Sequence, residues 1–167
     1  MQLERKVDIV IVDDHQLVID GLISLLKSNE HINILKTFND PREALNKIPE
    51  LDPEILLVDL DMPGMSGAEL TEQLLKLRPE LKIILLTMHL SQLTVEKMMG
   101  LGIYGYLLKN DDSDDFIRAI ENVAHEKKFF SSRVTEILAT KGQEINPNHK
   151  FKLLSLTDRE KEILKLI

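Results

Sequence analysis

The stretch at residues 55–67 reads ILLVDLDMPGMSG. Its apolar run, typical of a buried strand, ends on Asp59, and Pro63 and Gly64 mark a turn directly after it. We therefore predict that Asp59 stands at the carboxyl end of a strand, where parallel α/β sheets keep their functional groups.

Similar apolar runs alternate with amphipathic segments on both sides of this stretch. Strands are predicted at residues 7–12, 32–38, 55–58, 82–86 and 104–108. Helices are predicted at residues 15–28, 41–47, 91–99 and 113–125, with another between a cap at Ser66 and Pro79. This alternation predicts an α/β fold with a five-stranded, doubly wound parallel sheet, whose right-handed crossovers bring the carboxyl ends of the strands to one edge.

Two helix starts within the five-stranded region carry capping signals. Asp40 precedes Pro41, which suits the first helical position, and Ser66 with Glu69 has the spacing of a capping box. After the five-stranded region we predict a helix at residues 131–139, an aperiodic linker at 141–150, and a last amphipathic helix that starts at Thr157. The chain is thus predicted to continue beyond its sheet into a second module.

Composition also points to two modules. The 167 residues carry a formal charge of −7, but residues 1–126 hold 12 Lys+Arg against 23 Asp+Glu, and residues 127–167 hold 9 against 5. Absence of cysteine excludes disulfides and thiolate metal sites. The apolar run near the N-terminus is broken by Asp8 and ends at Asp13, which is too short for a signal peptide or membrane span, so a cytoplasmic location is expected.

Four predicted strands deliver polar side chains to the same edge of the sheet: Asp13 with Asp14, Asp59, Thr87 and Lys109. Carboxylates packed together repel one another, so this cluster predicts a hard divalent cation, and Mg²⁺ suits carboxylates with a backbone carbonyl and waters. The carbonyl comes from the turn after the third strand, at Asp61. No nucleotide cofactor is expected.

Lys109 and Thr87 complete a set of groups suited to phosphoryl transfer. A cation, a hydroxyl and the metal together stabilise negative charge that is spread over a phosphoryl group in transit. With Asp59 as the nucleophile, the product of that transfer is an aspartyl phosphate.

These residues resemble the signature of a bacterial response-regulator receiver domain over residues 5–126. The resemblance rests on Asp13-Asp14, the DLDMPGMSG run at residues 59–67, Thr87, and the GYLLK run at residues 105–109. It implies a flavodoxin-like fold and a signalling protein that is no enzyme beyond its own phosphoryl transfer and dephosphorylation. It assigns Asp59 as phosphoacceptor, Asp13, Asp14, Asp59 and the Asp61 carbonyl to Mg²⁺, and Thr87, Tyr106 and Lys109 to phosphate binding and switching.

The tail adds a second resemblance. Residues 154–167, LSLTDREKEILKLI, resemble the first helix of the helix-turn-helix effector in the NarL/FixJ, or LuxR-type, class. We therefore expect a receiver at residues 1–126, a linker with one helix at 127–152 and a truncated DNA-binding domain at 153–167. The implied partners are a histidine kinase or phosphotransfer protein, a second copy on activation, and DNA only through the missing recognition helix. No membrane partner is expected.

Two other functions stay open on the sequence alone. The chain could be a receiver-like interaction module that works without phosphorylation. It could also be a phosphatase of the haloacid dehalogenase type, in which the second acid, here Asp61, is a general acid and base. The phosphatase interpretation leaves Asp13 and Asp14 unexplained, and it expects a hydroxyl residue soon after Asp61, where the chain has Met62 and Pro63.

Overall fold

The computed structural model describes residues 5–140, which fold into six strands alternating with six helices. The strands are β1 Val7–Val12, β2 Ile32–Phe38, β3 Ile55–Asp59, β4 Lys82–Thr87, β5 Gly105–Leu108 and β6 Phe129–Phe130. The helices are α1 Gln16–Leu26, α2 Pro41–Leu51, α3 Gly67–Leu77, α4 Gln92–Gly100, α5 Ser113–Ala124 and α6 Ser132–Thr140. The predicted alternation of strands and helices is thus confirmed.

All six strands lie in one parallel sheet, in the order β2-β1-β3-β4-β5-β6. Its central strands are in register at their carboxyl ends, where Val12 pairs with Val58 and Asp59 pairs with Leu86. The chain winds outward in opposite directions from β1 and from β3, so the strand order reverses between these two strands. In doubly wound sheets, ligands bind at the carboxyl ends of the strands at such a reversal.

The core has two layers, one on each face of the sheet. Val10, Val12 and Val58 belong to the layer that α2, α3, α4 and α6 cover, whereas Ile9 and Ile11 belong to the layer under α1 and α5. Successive strand residues point to opposite faces, and here both faces are apolar. This explains the continuous apolar runs at residues 9–12 of β1 and 55–58 of β3, and it confirms the doubly wound arrangement.

The structure differs from the sequence prediction at two elements. α2 extends to Leu51, although a helix ending at residue 47 was predicted ahead of Pro49. Proline removes a single hydrogen bond near the helix end, and the helix closes where Asp52 adopts a left-handed conformation and donates its N–H to Ile48, at 3.1 Å. The sheet also has the sixth strand, β6, which has two residues and is too short to show any periodicity.

β6 and α6 place the segment after α5 on the edge of the sheet. Phe129 pairs with Gly105 and Phe130 with Tyr106. Helix α6, close to its predicted position, packs against α4 and β5 with Val134 fully buried.

The predicted linker, the last helix from Thr157 and the partial helix-turn-helix lie outside the described residues. Within residues 5–140, none of the helices has the length and apolar character needed to cross a membrane.

Candidate functional site

The candidate site forms where β1, β3, β4 and β5 end. Asp13 directly follows β1, Asp59 is the last residue of β3, Thr87 is the last residue of β4, and Lys109 directly follows β5. Asp13 and Asp59 are fully buried, and Thr87 is almost so. The sheet therefore brings together the four strand ends that the sequence pointed to, and it holds their carboxylates out of water.

Lys109 joins the two buried carboxylates. Its Nζ lies 2.8 Å from Oδ2 of Asp13 and 3.0 Å from Oδ2 of Asp59, and neither Oδ2 accepts a hydrogen bond from any other group in residues 5–140. Burial raises the pKa of Asp59, against the opposing effect of the Asp61 N–H and of Lys109. Burial lowers the pKa of Lys109, but hydrogen bonds with Asp13 and Asp59 outweigh it and leave that pKa raised. Lys109 therefore stays charged at neutral pH.

The carboxylates fit a divalent cation in number and chemistry. Asp13, Asp14, His15 and Asp59 offer ligand atoms that all lie within 4.8 Å of one another. Lys109 contacts Asp13 and Asp59, and Asp14 adds a third carboxylate, so the cluster holds more carboxylates than lysines. Oxygen donors of this kind suit Mg²⁺. The residues present thus fit the predicted metal, whose binding remains a prediction.

His15 is a neighbour of this cluster that the sequence pattern did not mark as a ligand. Its Nδ1 lies 3.0 Å from Oδ1 of Asp14, and its backbone N–H donates to Oδ1 of Asp13 at 2.9 Å. The backbone contact holds the Asp13 carboxylate at the start of α1. Asn39 provides a second support, since its Nδ2 donates to the carbonyl oxygen of Asp13 at 3.1 Å.

The turn after β3 fits tightly around Asp59. The N–H of Asp61 donates to Oδ1 of Asp59 at 3.1 Å, which orients the carboxylate. A Cβ atom added to Gly67 would lie 2.0 Å from the carbonyl oxygen of Asp59, so only glycine allows α3 to start so close to the end of β3. The predicted capping box of Ser66 and Glu69 is confirmed directly before Gly67. The N–H of Glu69 donates to Ser66 Oγ, and the N–H of Ser66 donates to the Glu69 carboxylate.

Thr87 has a partner that the sequence did not indicate. Its Oγ1 lies 2.9 Å from Oδ2 of Asp61 and 2.9 Å from the carbonyl oxygen of His89, and it accepts the N–H of His89 at 3.1 Å. In the receiver interpretation, the sequence assigned a role only to the backbone carbonyl of Asp61. Which way the Asp61 side chain turns depends on the folded turn, and residue spacing carries no signal for it.

Tyr106, the predicted switch aromatic, lies inside the molecule. It is fully buried in the same core layer as Val95, Met98 and Val134, and its hydroxyl has no hydrogen-bond partner among the described residues. Burial raises the pKa of Tyr106 well above its usual range, and the negative charge of Asp61 is a second, smaller cause. The structure thus couples Tyr106 to the core layer under α4 and α6, and its switching role stays a prediction.

Known proteins are similar to this chain along most of its length. The family model described as the response regulator receiver domain matches residues 9–121. The oxygen regulatory protein NreC of Staphylococcus carnosus is 34% identical, over 95% of this chain and 76% of that protein. The transcriptional regulatory protein DegU of Brevibacillus brevis is 32% identical over 81% of this chain, and the match spans only 57% of that protein.

Solved structures agree with the family match. A two-component response regulator of the LuxR family from Aurantimonas sp. SI85-9A1 has a TM-score of 0.79 and 26% identity, covering 83% of this chain and 99% of that one. This confirms the predicted flavodoxin-like receiver fold. It favours the receiver interpretation over the phosphatase, whose expected hydroxyl residue after Asp61 is replaced by the buried Met62.

Proposed function

Because this chain belongs to the response regulator receiver family, we propose that it accepts a phosphoryl group on Asp59 and thereby regulates transcription. The observation that carries this proposal is the buried ion pair between Asp59 and Lys109, beside the acidic cluster of Asp13 and Asp14. Members of such a family act as signalling proteins, and the only chemistry proposed here is transfer of the phosphoryl group to and from Asp59.

In the transfer step, a carboxylate oxygen of Asp59 attacks the phosphorus atom of a phosphohistidine on a histidine kinase or phosphotransfer protein. The new phosphorus–oxygen bond forms as the phosphorus–nitrogen bond breaks, and the electron pair of that bond returns to the imidazole. The Asp61 N–H holds the Asp59 carboxylate in one orientation, and Lys109 places a positive charge beside it.

Asp13, Asp14 and Asp59, with the backbone carbonyl of Asp61, are the proposed Mg²⁺ ligands. When bound, the ion offsets the negative charge of the phosphoryl oxygens, which the carboxylates would otherwise repel. Lys109 alone leaves the cluster with excess negative charge. We therefore propose that phosphorylation of Asp59 requires the divalent ion.

The proposed output starts from Thr87 and Tyr106. A phosphoryl group on Asp59 gives the Thr87 hydroxyl a new acceptor, and the face formed by α4, β5 and α5 repacks. In the proposed organisation a receiver at residues 1–126 passes this change through the linker at 127–152. The segment at 153–167 begins a LuxR-type DNA-binding domain, and activation pairs two copies of the protein.

The test is incubation with acetyl phosphate and Mg²⁺, followed by intact-mass measurement. The wild type should gain a single phosphoryl group that hydroxylamine removes, and Asp59→Asn should gain none. Asp114→Asn, at an exposed position in the first turn of α5, is the matched control and should react like the wild type. A phosphoryl group that persists on Asp59→Asn would show that the phosphoacceptor lies elsewhere.

Beryllofluoride with Mg²⁺ separates this proposal from the interaction module that needs no phosphorylation. Nuclear magnetic resonance (NMR) spectra of the wild type should change around Thr87 and Lys109, and unchanged spectra would favour the interaction module. A phosphatase would instead turn over an added phosphomonoester, for which we expect no turnover.

A further inference from the structure

The Thr87 hydroxyl already has acceptors before any phosphoryl group arrives. Thr87 is only 1% exposed, and its Oγ1 lies 2.9 Å from Oδ2 of Asp61 and also 2.9 Å from the carbonyl oxygen of His89. The N–H of His89 donates to the same Oγ1. A hydroxyl group has one proton to donate, so only one of the two acceptors can receive it at a time.

The carboxylate is the stronger of these two acceptors. A hydrogen bond to an ionised oxygen is roughly twice as strong as one to a neutral carbonyl. Thr87 is buried, which limits competition from water for its proton. The hydroxyl therefore donates mainly to Asp61 in this state.

Asp61 is in turn anchored to the phosphoacceptor. Its own N–H donates to Oδ1 of Asp59 at 3.1 Å, and its carboxylate contacts Thr87 at the end of the neighbouring strand β4. Its negative charge also contributes to the raised pKa of Tyr106, after the larger effect of burial. Asp61 thus contacts Asp59 through its backbone and Thr87 through its side chain.

We propose that the Asp61 carboxylate is a positioning residue that holds the Thr87 hydroxyl in the unphosphorylated state and so weakens binding of a phosphoryl group at Asp59. The inference rests on the proposed function of Asp59. A phosphoryl oxygen can accept the hydrogen bond of the Thr87 hydroxyl only when Asp61 no longer accepts it. Loss of the hydrogen bond to Asp61 therefore makes the free energy of binding less favourable. Asp61 therefore sets the balance between the two states, independently of any metal contact through its backbone carbonyl.

The test is a double-mutant cycle on beryllofluoride affinity, measured by NMR titration at a fixed Mg²⁺ concentration. Asp61→Asn keeps the size of the side chain and replaces the charged acceptor with a neutral one, so it should tighten binding by about threefold to tenfold. In the Thr87→Val background, which has no hydroxyl, the same change should alter affinity by less than about twofold. In the Thr87→Ser background, which restores the hydroxyl, the tightening should return.

These backgrounds separate the proposed contact from simple charge repulsion. Equal tightening by Asp61→Asn in the Thr87→Val and wild-type backgrounds would overturn the inference, because repulsion between Asp61 and the anion needs no hydroxyl. Unchanged affinity of Asp61→Asn in the wild-type background would overturn it too. If the wild type itself bound no beryllofluoride, the proposed function would fail with it, whereas wild-type binding with no effect of Asp61 refutes only this inference.

Discussion

At the scale of single residues, Asp59 is a carboxyl group whose burial opposes its negative charge. Burial raises its pKa in the folded protein, so the folded state holds a proton on Asp59 more tightly than the unfolded chain does. Its contribution to stability is therefore present in acid and is lost as the pH rises through the raised pKa. Once Asp59 is ionised, its charge destabilises the metal-free protein.

Asp59→Asn should for this reason stabilise the metal-free protein at neutral pH, by about 1–3 kcal/mol. Denaturant unfolding in the presence of a chelator measures the change, and the difference from the wild type should shrink as the pH is lowered. Asp14→Asn is the control, because Asp14 is only partly buried and its replacement should matter less. A less stable Asp59→Asn protein would mean that the ion pair with Lys109 outweighs burial.

Position 67 must be glycine because of close backbone packing. A Cβ atom there would overlap the carbonyl oxygen of Asp59 and also approach the Cα of Leu60 to 2.8 Å. Gly67→Ala should cost about 2–4 kcal/mol in the free energy of unfolding and weaken beryllofluoride binding, since the backbone of Asp59 has to move. Gly21→Ala is the matched control: Gly21 lies inside α1 with no atom in the way, and alanine there should stabilise by about 1 kcal/mol. Equal effects of the two alanines would contradict this account.

How far the site could be predicted differs from residue to residue. Asp13, Asp59 and Lys109 could be placed together because each follows an apolar run, and parallel strands end at one edge. The Asp61 carboxylate and Asn39 could not, because their contacts with Thr87 and Asp13 depend on how two loops turn in space. Periodicity locates strands and helices, but it carries no information on side-chain direction within a turn.

At the scale of elements, α6 belongs to the packing of the receiver sheet. Val134 is fully buried in the core layer that contains Tyr106, and the N–H of Ser131 donates to the carbonyl oxygen of Tyr106 at 3.1 Å. The segment after α5 therefore contacts the strand that holds the candidate switch aromatic. A movement of Tyr106 has a direct physical route to α6.

Val134→Ala should consequently loosen α6 and lower the free energy of unfolding by about 1.5–3 kcal/mol. Hydrogen exchange should show the loss of protection first in residues 132–140, ahead of β4. Glu136→Ala, on the exposed side of the same helix, should stay within about 0.5 kcal/mol of the wild type. Unchanged exchange in Val134→Ala would mean that α6 is held by other contacts.

At the scale of the whole molecule, most of the fold could be predicted because its strands are buried on both faces. Each of β1, β3 and β4 contains a continuous apolar run. These strands alternate with helices that carry one apolar face. β6 could not be predicted, since its two residues pair with β5 only after α5 has brought the chain back to the edge of the sheet. The extension of α2 through Pro49 likewise depends on how Asp52 closes the helix.

Binding of the proposed metal depends on the whole fold. Asp13 and Asp59 come from β1 and β3, so a ligand that needs both binds only when the sheet is formed. Mg²⁺ at 100 times its dissociation constant should then stabilise the protein by about 2.7 kcal/mol, and far-UV circular dichroism and tyrosine fluorescence should report the same shift in the unfolding midpoint. Asp13→Asn should lose most of this stabilisation, and Asp114→Asn should keep it. An equal shift from sodium chloride of matched ionic strength would attribute the effect to charge screening, because screening needs no specific ligands.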